Sequence, residues 1–517
     1  MVSTAATRLS AAPQRGLLAG AVLLLCGLAL APVLGLGIFA FAGPDALSGL
    51  HLGSDGPSQL LNTVALVLVV GLLAALLGTA SGWITARCSF PGRRWLRIAQ
   101  LLPLATPSYL LAATLIDLAS RLGLRLHGFT PTVAVLVLST YSYVFLLSTE
   151  SFSVSGRRQL EACRSLGVGP WGSFRRVALP MALPAIGAGM ALGGMEVVNE
   201  LGAVELLGVP TLSVGILQRW QQDADPQGAV ALALLALLIV ALLVGAERNL
   251  RRRSRCWNLG NDGDADQRWC LAGPRRWLAQ LVCLLPPLFS LGLPLVWSAV
   301  SWDQLQAEQL PELLGLAGRS FGLALLAGLI TVATGLGLAI AKRWIPNLLL
   351  QRLSFMAGLG YAIPGTVLAL ALMLIGGPLA LAPLLLLVWG YGDRFLAVAK
   401  GGLDAALERI PPSVDEAATC LGQSWLGVLR RVHLPLLRGP LLVGALLVFV
   451  DTVKELPLTF ALRPFDFDTL AVRVYQYASD ERVGAALVPA LLILLLGLLA
   501  ASALIPSLER LERPHRS

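Results

Sequence analysis

The chain has 517 residues, of which 56% are hydrophobic and only 13% charged, and its mean hydropathy is +0.74. Because soluble globular domains carry about a quarter charged residues, this composition excludes a water-soluble globular protein and indicates an integral membrane protein. In a chain surrounded by lipid bilayer, the net charge of +9 is expected to orient the helices, and we expect no nucleic-acid partner.

Apolar runs of roughly 20 residues alternate with short charged connectors, which is typical of membrane-spanning helices. The predicted spans are 16–42, 60–86, 97–116, 131–149, 182–200 and 227–246, followed by 277–300, 318–341, 353–375, 380–399, 439–460 and 485–506. The predicted fold class is therefore all-α, a polytopic membrane protein of about twelve transmembrane helices. Two halves of six spans, 1–246 and 277–517, are joined by a polar, arginine-rich segment at 247–276, which predicts a cytoplasmic linker.

The charged connectors predict the orientation of the spans, because Lys and Arg collect on the cytoplasmic side of a membrane. The connector after the second span, together with the first residue of the third, contains four arginines (Arg87, Arg93, Arg94 and Arg97) and no acid. The connector after the first span contains Asp45 and Asp55 and no Lys or Arg. The former is therefore predicted to be cytoplasmic and the latter external. With twelve spans, both termini are then predicted to be cytoplasmic.

A sequence repeat links the two halves. Residues 161–180 read EACRSLGVGPWGSFRRVALP, and residues 416–435 read EAATCLGQSWLGVLRRVHLP, at an offset of 255. Both copies lie in predicted cytoplasmic loops, 151–181 and 400–438, and both are too polar to cross a membrane. A surface that faces the cytoplasm has therefore been duplicated.

Each copy is expected to form a knob on the membrane surface, the first knob at residues 161–180 and the second knob at residues 416–435. Glu-Ala-Ala favours a short helix. Gly167 and Gly422 are expected to supply a turn that a side chain would obstruct, and Pro180 and Pro435 to end the segment before the next span. A rigid knob of this kind suits docking of a soluble partner whose movement is passed to the spans.

The repeat resembles the EAA signature of the permease subunits of ATP-binding-cassette importers. The matching residues are Glu161, Ala162, Gly167, Val177, Leu179 and Pro180 in the first copy, and Glu416, Ala417, Gly422, Val432, Leu434 and Pro435 in the second. The resemblance implies that each knob is a coupling helix that docks into a cytoplasmic ATPase subunit, with two ATPase copies per chain. It also implies a periplasmic substrate-binding protein as partner and a multi-pass location in the bacterial inner membrane.

The sequence does not predict an enzyme. A phosphate-binding P-loop requires a Gly-Lys pair, whereas Lys342 and Lys400 follow alanine and Lys454 follows valine. We expect no catalytic residues, no metal site and no cofactor bound by this chain. ATP would be used by the partner subunits.

Five charged residues within the predicted spans are candidates for the transport pathway: Glu196, Glu200, Asp451, Lys454 and Glu455. Acids four residues apart share one face of a helix, and charges inside a membrane mark transport pathways or paired sites. Two alternatives to a pathway role remain open from the sequence. In the first, Lys454 simply neutralises Asp451 or Glu455. In the second, Glu200 lies in the outer headgroup region.

The segment 451–477, DTVKELPLTFALRPFDFDTLAVRVYQY, is similar to the iron(III) permeases of the binding-protein-dependent class, as is the segment 361–365, YAIPG. This resemblance implies import of ferric iron from a periplasmic binding protein, driven by ATP hydrolysis on separate subunits. Related permeases import thiamine, polyamines, sulfate or molybdate, which remain alternative substrates. The alternative class is an ion-coupled secondary transporter. A transporter of that class would need broken helices and coordinating charges.

Overall fold

The structure is a computed structural model that describes residues 12–42, 50–154, 163, 165–255, 268–302, 310–345 and 347–512. These residues are almost entirely helical, which confirms the predicted all-α class. A helix satisfies every backbone polar group within its own segment, as the lipid environment requires. Within the described ranges, strand structure is limited to Cys88–Ser89, which pairs in parallel with Trp269–Cys270.

The structure does not confirm the predicted number of spans. Eight described helices are long and apolar enough to cross a membrane, or up to ten if each of two sharply bent helix pairs is one span. The count of twelve is therefore not confirmed. The predicted span 380–399 is divided between helices Pro383–Arg394 and Leu396–Glu408, and the last predicted span contains the shorter apolar segment Ala485–Leu499. Hydropathy measures composition and does not report where a helix breaks.

Both bent pairs change direction at a proline. The helices on either side of Pro107 meet at 93°, and those on either side of Pro364 meet at 116°. The two prolines have extended backbone, with ψ of 138° and 140°. A proline also pushes the residue before it out of the helical region, so the helix cannot continue through either position. We refer to these positions as the proline breaks.

Contacts group the described residues into two compact units. The 49–310 unit comprises Gly49–Leu310 with Leu470–Ser517, and the 311–469 unit comprises Pro311–Thr469 with Met1–Ser48. The first predicted span is therefore grouped with the second half of the sequence, and the last helix with the first half. The division of the chain into halves on either side of 247–276 stays a prediction.

In the 49–310 unit, the helix Phe129–Val154 lies very close to two neighbouring helices. A Cβ atom at Gly78 would lie 2.7 Å from the backbone nitrogen of Phe145, and one at Gly189 would lie 2.7 Å from the Cα of Val144. Small residues allow this close approach of helix backbones in membranes. The α-helices of this unit are Gly56–Arg87, Arg93–Ala99, Ser108–Arg121, Phe129–Val154, Pro170–Ser173, Leu179–Asn199, Gly202–Leu206, Leu212–Gln221, Pro226–Arg255, Pro274–Pro287, Leu293–Val300, Leu470–Ser479 and Val483–Glu512.

In the 311–469 unit, the helix Ala12–Ala42 packs against helices of the second half. The indole nitrogen of Trp389 donates a hydrogen bond of 3.1 Å to the carbonyl oxygen of Leu28, and a Cβ at Gly35 would lie 2.7 Å from Ile375 Cγ1. The α-helices of this unit are Ala12–Ala42, Leu310–Trp344, Leu348–Ala357, Gly365–Gly376, Pro383–Arg394, Leu396–Glu408, Pro412–Cys420, Trp425–Val428, Leu434–Lys454 and Pro457–Leu462.

Candidate functional site

The second knob begins within the short helix Pro412–Cys420 and turns at Gly422. Glu416 and Ala417 are exposed on this helix. Leu421, directly before the turn, is 81% exposed. The knob thus presents one carboxylate and one large apolar side chain on an accessible surface, a combination that suits contact with a protein partner.

The first knob presents the same surface as far as the structure describes it. Glu161 and Ala162 lie outside the described residues. Leu166 is 81% exposed, and it occupies the position equivalent to Leu421 at the repeat offset of 255. The sequence analysis did not single out these two leucines, although the repeat itself contains the identity.

Both knobs contain the same left-handed turn, with φ of +72° at Gly167 and +78° at Gly422. In the second knob, the backbone nitrogen of Gln423 donates to the carbonyl oxygen of Ala418 at 3.1 Å, the bond that closes a helix around a C-terminal glycine. The equivalent bond of the first knob is 2.8 Å long. No described atom lies within 4 Å of a Cβ placed on either glycine. A side chain at either position is therefore disfavoured by the left-handed backbone conformation and not by contact with a neighbouring described residue.

Each knob continues into a long helix through a five-residue π-helical segment, Phe174–Ala178 in the first copy and Leu429–His433 in the second. The signature residues Val177 and Val432 lie in these segments and are half-buried. The two segments occupy the same positions of the repeat. Short π-helical turns inside α-helices are rare and are often found at functional sites.

The helix does not stop after the π-helical segment. The next two signature residues open its α-helical continuation, Leu179 and Pro180 in the first copy and Leu434 and Pro435 in the second. The expectation that Pro180 and Pro435 end the knob is therefore wrong. A wider preceding turn displaces the carbonyl with which the proline ring would clash in a regular helix, so the chain passes from knob to span without interruption.

The α-helices that continue from the two knobs are Leu179–Asn199 and Leu434–Lys454. They end one residue before Glu200 and Glu455. Both acids have extended backbone, with ψ of 131° and 121°. The expectation that Glu196 shares a helix face with Glu200, and Asp451 with Glu455, is wrong, because the second acid of each pair lies beyond the helix end. We refer to these positions as the acid breaks.

In the 49–310 unit, Glu200 connects the acid break to the proline break. Its Oε1 accepts a hydrogen bond of 2.9 Å from the backbone nitrogen of Ala203, which caps the short helix Gly202–Leu206. Its Oε2 accepts a bond of 2.5 Å from the hydroxyl of Ser108, the residue that follows Pro107. The carboxylate therefore holds two irregular backbone segments together.

In the 311–469 unit, Glu455 has the same capping role with a cation as additional partner. Its carboxylate accepts hydrogen bonds from the backbone nitrogens of Leu458 and Thr459 at 3.2 and 3.1 Å. Arg394 Nε lies 3.7 Å from Glu455 Oε1, and both side chains are almost fully buried. Arg394 also donates to the carbonyl oxygen of Ile363 at 2.9 Å, beside the proline break. Here an arginine connects the two breaks.

The other candidate pathway residues also have partners. The hydroxyl of Tyr143 donates to Glu196 Oε1 at 3.1 Å, and Lys454 Nζ lies 3.0 Å from Asp451 Oδ1. The sequence alternative in which Lys454 neutralises Asp451 thus corresponds to a contact in the structure. Within the described ranges, no group of three or more His, Cys, Asp or Glu residues lies close enough to hold a metal ion.

Sequence reasoning missed Ser108 and Arg394, which hold the acid breaks. Neither residue lies in the repeat, and Arg394 is 61 positions before its partner Glu455. Ser108 directly follows Pro107, and Arg394 lies within the predicted span 380–399, but no pattern there indicates which acid they contact.

A family model described as "Binding-protein-dependent transport system inner membrane component" matches the chain twice, at residues 69–255 and 331–505. The chain belongs to this family. It is a permease component of a binding-protein-dependent ABC importer, located in the inner membrane as a multi-pass protein, and is not an enzyme. Membership implies ATPase subunits and a periplasmic binding protein as partners. The ion-coupled secondary transporter is excluded, although the structure contains the broken helices that such a protein would need.

The chain is similar to permeases with different substrates. It is 27% identical over 455 residues to the Fe(3+)-transport system permease protein FbpB 2 of Haemophilus influenzae, a match that covers 84% of this chain and 87% of that protein. It is 33% identical over 253 residues to a probable molybdenum ABC transporter permease protein of Haloferax volcanii, covering 46% and 90% respectively. It is 32% identical over 199 residues to a probable sulfate transport system permease protein of Nephroselmis olivacea, covering 35% and 70%.

Proposed function

We propose that this permease moves ferric iron from a periplasmic binding protein into the cytoplasm, driven by ATP hydrolysis on separate ATPase subunits. The observation that carries the proposal is the similarity to an Fe(3+) permease along 84% of the chain. The molybdenum and sulfate relatives match 46% and 35% of the chain. Similarity that extends over both repeats favours the iron relative as the guide to substrate.

The charges of the candidate pathway are consistent with a cationic substrate. The five candidate residues are the four acids Glu196, Glu200, Asp451 and Glu455 and the lysine Lys454, and Arg394 adds a second basic group beside Glu455. The acids therefore outnumber the basic groups by four to two. Carboxylate oxygens are the ligands preferred by hard cations, whereas pores for anions are lined by basic side chains. Each of the five residues has a partner in this structure, so a pathway role requires these contacts to exchange during the transport cycle.

Uptake by the assembled complex tests the substrate. Proteoliposomes with this permease, its ATPase and internal ATP would receive binding protein loaded with ⁵⁵Fe(III), and parallel samples would receive ³⁵S-sulfate or molybdate on the corresponding binding proteins. We expect ATP-dependent accumulation of iron alone. Accumulation of sulfate or molybdate without iron would reject iron and support the second candidate substrate class, for which the relatives at 32% and 33% identity are the evidence.

We also infer that one chain supplies both docking sites for the ATPase, with one knob for each of two ATPase copies. The duplicated surface at Leu166 and Leu421 supports this stoichiometry. Native mass measurement of the purified complex should give one permease chain with two ATPases. A mass that corresponds to two permease chains with two ATPases would be incompatible with this assembly.

In this proposal, ATP binding closes the ATPase dimer and displaces the knobs. Each knob is continuous with a long helix through its π-helical segment, so the displacement reaches the far end of that helix, where Glu200 or Glu455 forms the acid break. Packed helices move as rigid bodies and concentrate change at irregular segments. The acid and proline breaks are therefore the proposed positions at which the pathway opens.

A further inference from the structure

A charged cluster supports the second knob from its buried side. Arg343, near the end of the helix Leu310–Trp344, donates from Nε to Asp415 Oδ2 at 2.7 Å. Its Nη1 donates to the carbonyl oxygens of Leu407 and Ile410, both at 2.9 Å. This guanidinium thus holds the backbone before the knob and the first helix of the knob at once. Such a fork of charge-assisted bonds fixes geometry as well as adding binding energy.

Asp415 is also contacted from the part of the chain that follows the turn. His433 is fully buried, and its Nε2 lies 3.2 Å from Asp415 Oδ1. Trp344 Nε1 donates to Asp415 Oδ2 at 3.3 Å, and its ring packs at 5.7 Å from the ring of His433 and 6.3 Å from that of Trp425. One carboxylate therefore joins the span 310–344, the knob helix and the π-helical segment.

Asp415 directly precedes the signature residue Glu416, and the two side chains face opposite ways. The side chain of Asp415 is 7% exposed, whereas Glu416 and Ala417 are exposed. A force applied by a partner to the exposed face of this helix acts on a body that is attached by Asp415 to the span behind it. The attachment is directional, because charged hydrogen bonds require fixed donor and acceptor positions.

The residues that make this attachment are not repeated in the first knob. At the repeat offset of 255, Leu160 and Ala178 occupy the positions of Asp415 and His433. The first knob instead packs through aromatic rings, with Trp83 5.1 Å from Phe174 and Trp171 5.4 Å from Phe174. The charged attachment through Asp415 and His433 is therefore specific to the second knob.

We propose that Asp415 is a positioning residue for coupling. It locks the second knob to the helix Leu310–Trp344, so that the knob and this helix are displaced together. The first knob has leucine and alanine at the equivalent positions, so this lock is specific to the second knob. This inference rests on the proposed function of the knobs as ATPase docking sites.

The decisive variant is Asp415→Asn in the complete complex with ATPase, in proteoliposomes supplied with ⁵⁵Fe(III)-loaded binding protein. The measured quantity is ATP hydrolysed per iron imported. Loss of the charged contacts is expected to raise this ratio about fivefold, while the amount of ATPase that copurifies stays within about twofold of wild type. Arg343→Lys keeps the charge but loses the fork, and it should raise the ratio by less.

The matched control is Glu408→Gln. Glu408 also pairs with a basic residue at the end of the same span, Lys342, at 3.3 Å, but its side chain is 72% exposed. Since exposed pairs contribute little, this variant should keep the wild-type ratio. A wild-type ratio in Asp415→Asn, or an equal rise in Glu408→Gln, would overturn the proposal.

Two further results separate this inference from the proposed function. If Asp415→Asn fails to insert, Arg343→Lys decides by the same ratio, and an unchanged ratio rejects the lock. If the wild-type complex imports no iron or binds no ATPase, the proposed function fails, and amide hydrogen exchange of the full chain in nanodiscs then tests the lock alone. Faster exchange at 412–420 in Asp415→Asn than in Glu408→Gln supports it, and equal exchange in both variants rejects it.

Discussion

Replacement of Gly422 by valine tests whether the turn of the second knob must be left-handed for the ATPase to dock. Gly422 has φ of +78°, and no described atom lies within 4 Å of a Cβ at this position. The substitution therefore meets no steric obstacle, and its whole effect comes from the backbone. A non-glycine residue in the left-handed region costs about 1–2 kcal/mol, and a β-branched residue lies at the upper end of this range.

This cost predicts a measurable loss of affinity. If the ATPase binds only the left-handed form of the turn, about 1–2 kcal/mol lowers its apparent affinity about 5- to 30-fold. Asparagine adopts the left-handed conformation more readily than other residues, so Gly422→Asn should lose no more than about threefold. Membrane abundance should not change, since the long helices are stabilised by their own packing.

The assay is titration of purified ATPase onto the permease in nanodiscs. Gly401→Val is the matched control, because Gly401 is exposed, lies in the helix Leu396–Glu408 and has no described atom within 4 Å of its Cβ position, but its backbone is helical. The control should bind as wild type does. Equal affinities for Gly422→Val and Gly401→Val would refute the role assigned to the turn.

Three further predictions follow from the acid breaks, the charged cluster and the topology. Glu455→Gln leaves the buried Arg394 without its anionic partner and should destabilise the protein by about 3 kcal/mol or more. Glu200 pairs with no cation among the described residues, so Glu200→Gln should cost only about 1 kcal/mol. Denaturant unfolding in micelles compares the two variants, and equal losses of stability would contradict the reasoning. Burial raises the pKa of Asp415, but its contacts with His433 and Arg343 outweigh this and lower the pKa to about 2 from 3.8. The stability that the ionised group contributes is therefore present above pH 3.8 and is lost as the pH falls towards 2. Tryptophan fluorescence near the second knob should change below about pH 4, and the same change in Asp415→Asn would contradict this prediction. A reporter that is active only in the cytoplasm should be active when fused to the C-terminus, and a reporter that is active only in the periplasm should not. The opposite result would reverse the proposed orientation.

The knobs were predictable because their sequence is repeated. The repeat located both turns, and the conformational freedom of glycine predicted that the chain turns at Gly167 and Gly422. It did not predict that the helix continues through Pro180 and Pro435. No particular amino-acid composition distinguishes a π-helical turn. The same residues are therefore compatible with the end of one helix or with a π-helical turn inside a longer helix.

The acid breaks were less accessible to sequence reasoning. Hydropathy treats 439–460 as one continuous span, although Leu456 and Pro457 follow Glu455 directly and a proline restricts the residue before it. The partner of this acid, Arg394, belongs to a different helix, and its identity depends on how the helices pack. Spacing along the chain reports neighbours on one helix, but it does not report contacts between helices.

The grouping of helix Ala12–Ala42 with the 311–469 unit has a consequence for biosynthesis. This helix is made first, but its packing partners Trp389 and Ile375 are made more than 300 residues later. At about 5–20 residues per second, the ribosome needs on the order of 15 to 70 s to reach them. During that time the helix must stay in lipid without its final neighbours. The 49–310 unit has the reverse delay, because Leu470–Ser479 and Val483–Glu512 are synthesised last. A nascent chain released at the linker would therefore leave both units incomplete, and two separately expressed halves would each need the other to complete their helix packing.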